Sequence, residues 1–351
     1  MKKFLVLSLT IPFLVLASCG NSKTQGSNVA GSNANGSLAG KNLNVLVAYH
    51  ESMVKTLAEL FEAKTGAKVS YLRMPTGEAT AKLVAEADRP TVSVFMGGTV
   101  DAHENLKAKN LLASYVSPEE NFIPTEFRDS AGVYKTQHLE VLSIGLNTER
   151  WKEEFAGKGI PEPTKLEDLL NPLFKGEIIM PDPTSSGTGY NFVDSVLAYM
   201  GETRGWAFLE GLNKQVGQYT SSGYTPAEKT GLGEYLICIN YLTDQVLVRN
   251  SGYPLKSIAY EGAGWSMIPI SVVAGSENDP VTRQFIDFCL TKEAIDAMVK
   301  VASTLAVRTD ANPPDGGIGL KDIPINRNYD PVEGAVHKAD VLATFNSKTG
   351  K

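Results

Sequence analysis

Cysteine and histidine are scarce in this chain, which has three cysteines and four histidines in 351 residues. No C-x-x-C or H-E-x-x-H pattern occurs, and the histidines are not spaced as metal ligands. We therefore expect neither a structural zinc site nor a resident cofactor. Cys238 and Cys289 each lie in an apolar run, where a thiol behaves as a small core residue. A disulfide between these two residues is an open alternative.

The sequence also lacks the common signatures of catalysis and nucleotide binding. It contains no G-x-x-x-x-G-K-[ST], no G-x-G-x-x-G and no G-x-S-x-G pattern. A secreted hydrolase acting on phosphate esters, the enzymatic alternative, would therefore have no recognisable nucleophile and base. The formal charge is −6, and loss of Lys2 and Lys3 with a signal peptide would change it to −8. A negative surface argues against nucleic-acid binding, which needs a basic face.

Long hydrophobic runs are absent except near the N-terminus, where residues 4–15 follow Lys2 and Lys3. This run is shorter than the roughly 20 apolar residues that span a bilayer, and it is typical of a signal peptide over residues 1–18. The sequence LASCG, ending at Gly20, resembles a lipobox, which predicts a lipid on Cys19. The alternative is an ordinary cleavage site. Residues 19–41 are mostly small and polar, which predicts a flexible tether. We therefore expect an exported lipoprotein that faces the periplasm or the cell exterior.

Strand and helix patterns alternate through the remaining residues, which favours an α/β fold with mostly parallel sheets flanked by helices. The first block predicts β-α-β-α-β-α over residues 43–110. We expect two lobes joined by two or more hinge crossings, with a ligand cleft between them. The first lobe would comprise residues 42–140 plus about 275–351, and the second about 141–274. The segment after Asp310 is rich in Pro, Gly and Asp and is expected to lie over the surface.

Four loops that follow strands and precede helices carry hydroxyls and glycines. Residues 181–190 contain four hydroxyl side chains and two glycines besides Tyr190, more than one helix cap requires. The N-terminus of the following helix adds about half a positive charge, so this loop predicts an anion site. Residues 219–228 have the same character, although Thr225 and Glu228 form a capping-box pattern. Residues 75–78 and 97–101 are the other two loops. His50-Glu51 is interpreted as a ligand contact or a helix start.

Several motifs carry a family resemblance over nearly the whole mature chain. They are Thr76-Gly77-Glu78, Arg89-Pro90, Gly97-Gly98-Thr99, residues 145–150, residues 169–178, residues 183–190, Gly201-Glu202 with Gly205-Trp206, and residues 285–288. In these motifs the chain resembles the bacterial ABC-importer binding proteins for ferric iron, thiamine, hexose phosphate or aminoethylphosphonate. The resemblance implies a two-lobed periplasmic-binding-protein fold that closes on a ligand without catalysis. It also implies delivery of that ligand to an inner-membrane permease, by a chain expected to be a monomer.

The residues point to a small anionic solute, phosphorylated or phosphonylated, with no metal. The predicted ligand-binding residues are Thr76, Gly77, Gly98, Thr99, Ser185, Ser186, Gly187, Thr188, Tyr190, Tyr219, Ser221, Ser222, Asn240 and Glu261.

Other ligands and roles stay open at this point. Ferric binders of the group use adjacent tyrosines, which this chain lacks. Iron would require that four separate tyrosines converge: Tyr219, Tyr224, Tyr241 and Tyr260. Some sugar-phosphate binders carry an acidic residue and a histidine after the strand that here ends in Ile239-Asn240-Tyr241-Leu242, and this departure argues against a sugar phosphate. Thiamine or its phosphate is a further alternative, as is use of the fold as a sensor or adhesin.

Overall fold

The structure is a computed structural model that describes residues 38–314 and 324–350. The predicted signal peptide, Cys19 and most of the predicted tether lie outside these residues. Within the described ranges, no helix combines the length and the apolar character needed to cross a membrane.

The strands are β1 (Asn42–Ala48), β2 (Lys68–Arg73), β3 (Val94–Gly97), β4 (Leu112–Ala113), β5 (Tyr134–Asn147), β6 (Ile178–Pro181), β7 (Val216–Thr220), β8 (Ile237–Tyr241), β9 (Leu255–Ile258), β10 (Trp265–Val273) and β11 (Leu305–Ala306). The helices are α1 (Glu51–Thr65), α2 (Thr76–Ala85), α3 (Val100–Ala108), α4 (Thr148–Arg150), α5 (Gly187–Met200), α6 (Glu202–Asn213), α7 (Thr225–Gly231), α8 (Leu242–Asn250), α9 (Pro280–Leu290), α10 (Lys292–Ala302) and α11 (Pro331–Thr349).

The main strands follow the order β2-β1-β3-β10-β5-β8-β6-β7. Strand β1 pairs in parallel with β2 and β3, and β6 pairs in parallel with β7 and β8. Strands β10 and β5 run antiparallel to their neighbours between these two groups. We call β1–β3 and β10, with α1–α3, the β1 side, and β6–β8, with α5–α8, the β6 side. The parallel strands confirm the mixed, mostly parallel α/β arrangement expected from the sequence.

Strand β5 connects the two sides. Its first half, through Val141, pairs with β10, whereas Leu142 to Leu146 pair with β8. All 14 of its residues are buried, although half of them are polar: Lys135, Thr136, Gln137, His138, Glu140, Ser143 and Asn147. One uninterrupted strand therefore belongs to both groups of strands, and the cleft lies across it.

Helix α1 illustrates how local sequence sets an element. His50 caps its N-terminus by accepting a hydrogen bond from the Ser52 N–H, and Gly66 ends it at φ 74°. That left-handed backbone suits glycine, and the Gly66 N–H donates to the Glu62 carbonyl. One face of the helix, including Leu57 and Phe61, is buried, and the Phe61 ring packs edge-on against Phe285 of α9.

The structure corrects three details of the sequence-based assignment. The apolar spacing over residues 280–301 predicts one helix, whereas the structure has two, because Thr291 ends α9 and its side chain caps α10. The capping box expected at Thr225 does not form, since Tyr224 occupies the cap position without a side-chain bond. The segment after Asp310 includes the 19-residue helix α11, whose Phe345 is buried. Asp330 and Pro331 at its start are a helix signal that composition concealed.

Candidate functional site

An enclosed pocket lies between the β1 side and the β6 side, at the ends of their parallel strands. Both sides contribute residues, and β5 and β10 form its base through Glu140 and Ile268. The lining residues are Ala48, Tyr49, His50, Met53, Arg73, Pro75, Thr76, Gly98, Thr99, Glu140, Ser186, Thr188, Gly223, Tyr224, Tyr241, Asp244 and Ile268.

Five helices of eight residues or more begin at this pocket. His50, Thr99, Ser186 and Tyr241 are the N-cap residues of α1, α3, α5 and α8, and α2 begins at Thr76. Thr99 and Ser186 do not use their hydroxyls to cap their own helices. Within the described part of the chain, the buried Thr99 Oγ1 has no hydrogen-bond partner. About half a positive charge accompanies each helix start, so the pocket favours an anion. The N–H groups of Ser52, Gly77 and Val100 already donate within the protein, so an anion would use other N–H groups of these first turns.

Glycines allow the two sides to touch at the edge of this pocket. The Gly77 N–H donates to the Ser185 carbonyl oxygen at 3.0 Å. A Cβ atom on Gly187 would lie 2.1 Å from Thr99 Oγ1, a distance that no real contact allows. The loops after β3 and β6 therefore approach each other at backbone distance. This close approach explains why the loops contain glycine as well as hydroxyl residues.

Arg73 is the one lysine or arginine among the residues that line the pocket. It ends β2 on the β1 side, and its Nη2 donates to Ser222 Oγ on the β6 side at 3.1 Å. His50 also lines the pocket, with its ring centroid 4.5 Å from that of Tyr224. Burial, and then the charge of Arg73, lowers the pKa of His50, so this imidazole is neutral at pH 7. Arg73 is therefore the full positive charge available to a ligand in this pocket.

Two carboxyl side chains, Glu140 and Asp244, also line the pocket. Burial, followed by the charge of Glu140, raises the pKa of Asp244 to about 8, while Arg73 acts in the opposite direction. Glu140 Oε1 lies 3.3 Å from His138 Nε2. Its buried Oε2 has no hydrogen-bond partner within the described residues. We call Glu140 and Asp244 the acidic pair; its oxygens are suited to accept hydrogen bonds from ligand hydroxyls or an amine.

The structure brings many of the predicted residues together. Lining residues from the predicted set are Thr76, Gly98, Thr99, Ser186 and Thr188. Gly77, Ser185 and Gly187 form the contacts between the loops, and Ser222 bonds Arg73. Asn240 lies beneath the pocket, where its Nδ2 donates to the Gly223 carbonyl at 3.1 Å. Its side chain therefore orients a pocket loop.

Other predicted residues lie elsewhere. The Tyr190 hydroxyl donates to the Gly334 carbonyl, and the Tyr219 hydroxyl donates to Asn213 Oδ1 at 2.9 Å. Ser221 and Glu261 are exposed outside the pocket. The physical reason is that a side chain near a loop reaches the cleft only if the local backbone turns it inward. Adjacency in sequence to a glycine-rich loop does not ensure this.

The four tyrosines considered for iron do not converge. Tyr224 and Tyr241 line the pocket, whereas Tyr219 and Tyr260 do not. The Tyr241 hydroxyl donates to Asn191 Oδ1 at 3.2 Å, and burial raises its pKa well above the usual value. Among the described residues, no three His, Cys, Asp or Glu side chains are grouped to hold a metal ion. Two of the four tyrosines considered for iron therefore line the pocket, together with Tyr49.

Sequence reasoning missed Arg73 and the acidic pair. Each carries a signal in hindsight: Arg73 ends a strand next to the first loop, and Asp244 lies in the first turn after β8. Glu140 is a charged residue within the buried strand β5. A charge in an otherwise buried strand usually has a functional partner, because burial without one is costly.

Comparisons with known proteins give one coherent result. A family model described as bacterial extracellular solute-binding protein matches residues 89–316. An uncharacterized protein of Haemophilus influenzae is 32% identical over 315 residues, which cover 88% of this chain and 86% of that protein.

Solved structures agree with this match. The periplasmic binding protein AfuA of Actinobacillus pleuropneumoniae, with fructose-6-phosphate bound, has a TM-score of 0.83 and 27% identity, over 89% of this chain and 99% of that one. Iron-bound HitA of Pseudomonas aeruginosa has a TM-score of 0.74 and 17% identity, over 87% of this chain and 99% of that one. At that lower identity the likeness shows the fold alone. This chain has the same two-lobed periplasmic-binding-protein fold.

Proposed function

This chain belongs to the bacterial extracellular solute-binding proteins, the receptors of ABC importers, and we propose that its ligand is a small phosphorylated or phosphonylated anion. The observation that carries this proposal is the convergence of five helix N-termini and Arg73 on one enclosed pocket. Preorganised N–H groups bind a phosphate oxygen without moving, and charge-assisted hydrogen bonds are worth about 1.5–3 kcal/mol each. The ligand would then be passed to a membrane permease.

The part of the ligand remote from the anion is expected to be polar. The acidic pair lies in the same pocket as the helix ends, and Glu140 Oε2 has no partner within the described residues. A purely apolar group placed there would leave a buried carboxylate unsatisfied, which costs free energy. Hydroxyls or an amine would satisfy it. A phosphate or phosphonate that bears such groups is therefore the ligand class that fits both ends of the pocket.

Binding is expected to close two lobes on the ligand. The sequence predicts a first lobe over residues 42–140 plus about 275–351 and a second lobe over about 141–274, with β5 as one crossing. Because Ile270 to Val272 pair with β3, we propose instead that β10 belongs to the first lobe and that the return crossing lies just before it. A lipid on Cys19 and a tether over residues 19–41 would keep the body near the membrane that holds the permease.

A thermal-melt panel on the purified protein, stripped of endogenous ligand, tests the ligand class. The panel contains fructose-6-phosphate, 2-aminoethylphosphonate, thiamine phosphate and ferric citrate. A ligand present at a concentration of about 1,000 times its dissociation constant raises the free energy of unfolding by about 4 kcal/mol, which raises the melting temperature by several degrees. We expect a phosphorus compound to produce this shift. A shift with ferric citrate alone would contradict the proposal and favour iron.

Paired variants test the site itself. Replacing Ser186 and Thr188 together by alanine removes two pocket hydroxyls, and we expect it to abolish most of the shift. The matched control replaces Thr184 and Ser221, two exposed hydroxyl residues in the loops after β6 and β7. An unchanged shift in the pocket variant would show that the anion binds elsewhere.

A further inference from the structure

Helix α11 contacts the β1 side and the β6 side through neighbouring residues. Lys338 Nζ lies 2.6 Å from Asp101 Oδ2 on α3. The same ammonium lies 4.9 Å from the ring centroid of Tyr190 on α5, and the Tyr190 hydroxyl donates to the Gly334 carbonyl. One lysine thus touches two helices that belong to different sides of the cleft.

Those two helices supply the opposed ends of the anion pocket. Asp101 comes two residues after Thr99, and Tyr190 comes two residues after Thr188, so both lie in the first turn or just beyond it. The side chain of Asp101 is only 5% exposed. A buried carboxylate next to an anion site would repel the ligand and would itself be costly without a partner. By pairing with Asp101, Lys338 neutralises that negative charge beside the proposed anion site.

Helix α11 is attached to α5 independently of Lys338. A Cβ atom on Gly334 would lie 2.1 Å from Asp194 Oδ2, so the absence of a side chain at this glycine leaves room for the Asp194 carboxylate of α5. Asp194 Oδ2 also accepts a hydrogen bond from the Tyr329 hydroxyl at 2.8 Å. Helix α11 also packs along α3, and the ion pair between Lys338 and Asp101 is the polar contact that joins α3 to this assembly.

We infer that Lys338 is a positioning residue that holds the N-termini of α3 and α5 together over the pocket. It does not touch the ligand; it sets the equilibrium between closed and open arrangements of the two sides. This inference rests on the proposed function, because the two helix ends are the proposed anion site. Loss of the bridge is expected to raise the open-to-closed ratio by about tenfold, within the range typical of coupling between sites.

The test needs no ligand. Nitroxide labels are placed on cysteines introduced at Val116 and Leu232, which are 73% and 54% exposed and lie on opposite sides of the cleft. Cys19 is replaced by serine, and the buried Cys238 and Cys289 stay unlabelled. Pulsed electron-electron spin resonance then gives the distribution of label separations. We expect Lys338→Met to add a population at longer separation, and Lys338→Arg, which keeps the charge, to restore the original distribution.

Two further variants make the result specific. Lys348→Met removes the same charge from the same helix, but Lys348 pairs with Glu210 on α6, within the β6 side, at 2.7 Å. Its distribution should match that of the unaltered protein. The double variant Asp101→Asn, Lys338→Met lacks the bridge but leaves no unpaired buried charge, so it should keep the fold. We expect it, like Lys338→Met alone, to show a population at longer label separation.

Unchanged separations in both bridge-lacking variants would overturn the inference, as would an equal opening in Lys348→Met. Because the measurement contains no ligand, its failure is distinct from a failed melt panel. The panel tests what binds, whereas the label distances test what holds the two sides together.

Discussion

The backbone N–H of Gly77 donates to the carbonyl oxygen of Ser185 at 3.0 Å, and this bond joins the two sides of the cleft directly. Gly77 lies in the first turn of α2, and Ser185 immediately precedes the N-cap of α5. A Cβ atom on Gly77 would lie 2.6 Å from that oxygen. Only glycine permits this contact, so the closed arrangement depends on the absence of one methyl group.

Gly77→Ala should therefore impair closure without harming the fold. We expect the affinity for the ligand found in the melt panel to fall about tenfold or more, measured by isothermal titration calorimetry. Alanine is favoured over glycine within a helix by about 1 kcal/mol, so the ligand-free melting temperature should not drop. Gly157→Ala is the control, because a Cβ atom added to Gly157 would have nothing within 4 Å. Equal affinities in the two variants would contradict the closure argument.

Arg73→Gln should weaken binding more than any loss of a surface charge. The guanidinium is the one full positive charge among the lining residues and also bonds Ser222 on the opposite side. Loss of a charge-assisted bond corresponds to about 10- to 100-fold in affinity, which calorimetry would detect. The Arg204 side chain is 74% exposed, so Arg204→Gln removes the same charge and should leave the ligand affinity unchanged. If both variants bind alike, Arg73 is not a ligand contact.

Asp244 should make stability depend on pH in an unusual direction. Its pKa is about 8 in the folded protein, because of burial and Glu140, against 3.8 for the free side chain. Between these values the folded state keeps a proton that the unfolded state releases. The free energy of unfolding contributed by Asp244 therefore falls as the pH rises from about 4 to about 8.

Urea denaturation at pH 5, 7 and 9 measures this dependence. Asp244→Asn should flatten it and should stabilise the ligand-free protein most at pH 9. Asp88→Asn, at an exposed aspartate, is the control for loss of one charge. Parallel pH curves for the unaltered protein and Asp244→Asn would show that this carboxyl ionises normally.

The two thiols of the body should be inert in the folded protein. Cys238 and Cys289 are both free and buried, and burial raises the pKa of Cys238 to about 12. The thiolate is the reactive form, so iodoacetamide should modify neither residue until the protein is denatured. Peptide mass spectrometry under native and denaturing conditions measures this directly. Recovery of a peptide in which the two residues are joined by a disulfide would contradict the assignment.

Much of the fold followed from the order of residues along the chain. The start and end of α1, and the turn from β6 into α5, depend on residues within about one helical turn of each other. Hydroxyls and glycines after strands predicted Thr99 and Ser186 as ligand-binding residues, and the structure places both in the lining of the pocket. Helix α11 was missed because proline and glycine dominate the composition of the preceding segment and conceal the cap at Asp330.

The sequence by itself determined the alternation of strands and helices and the polar loops at helix starts, because these depend on neighbouring residues. Only the tertiary structure decided which loops meet. Arg73 reaches Ser222 across 149 positions of the chain, and Lys338 reaches Asp101 across 237. Such contacts depend on strand register and on how one long strand, β5, joins both sides. No local pattern encodes them, since the side chains share only a place in space.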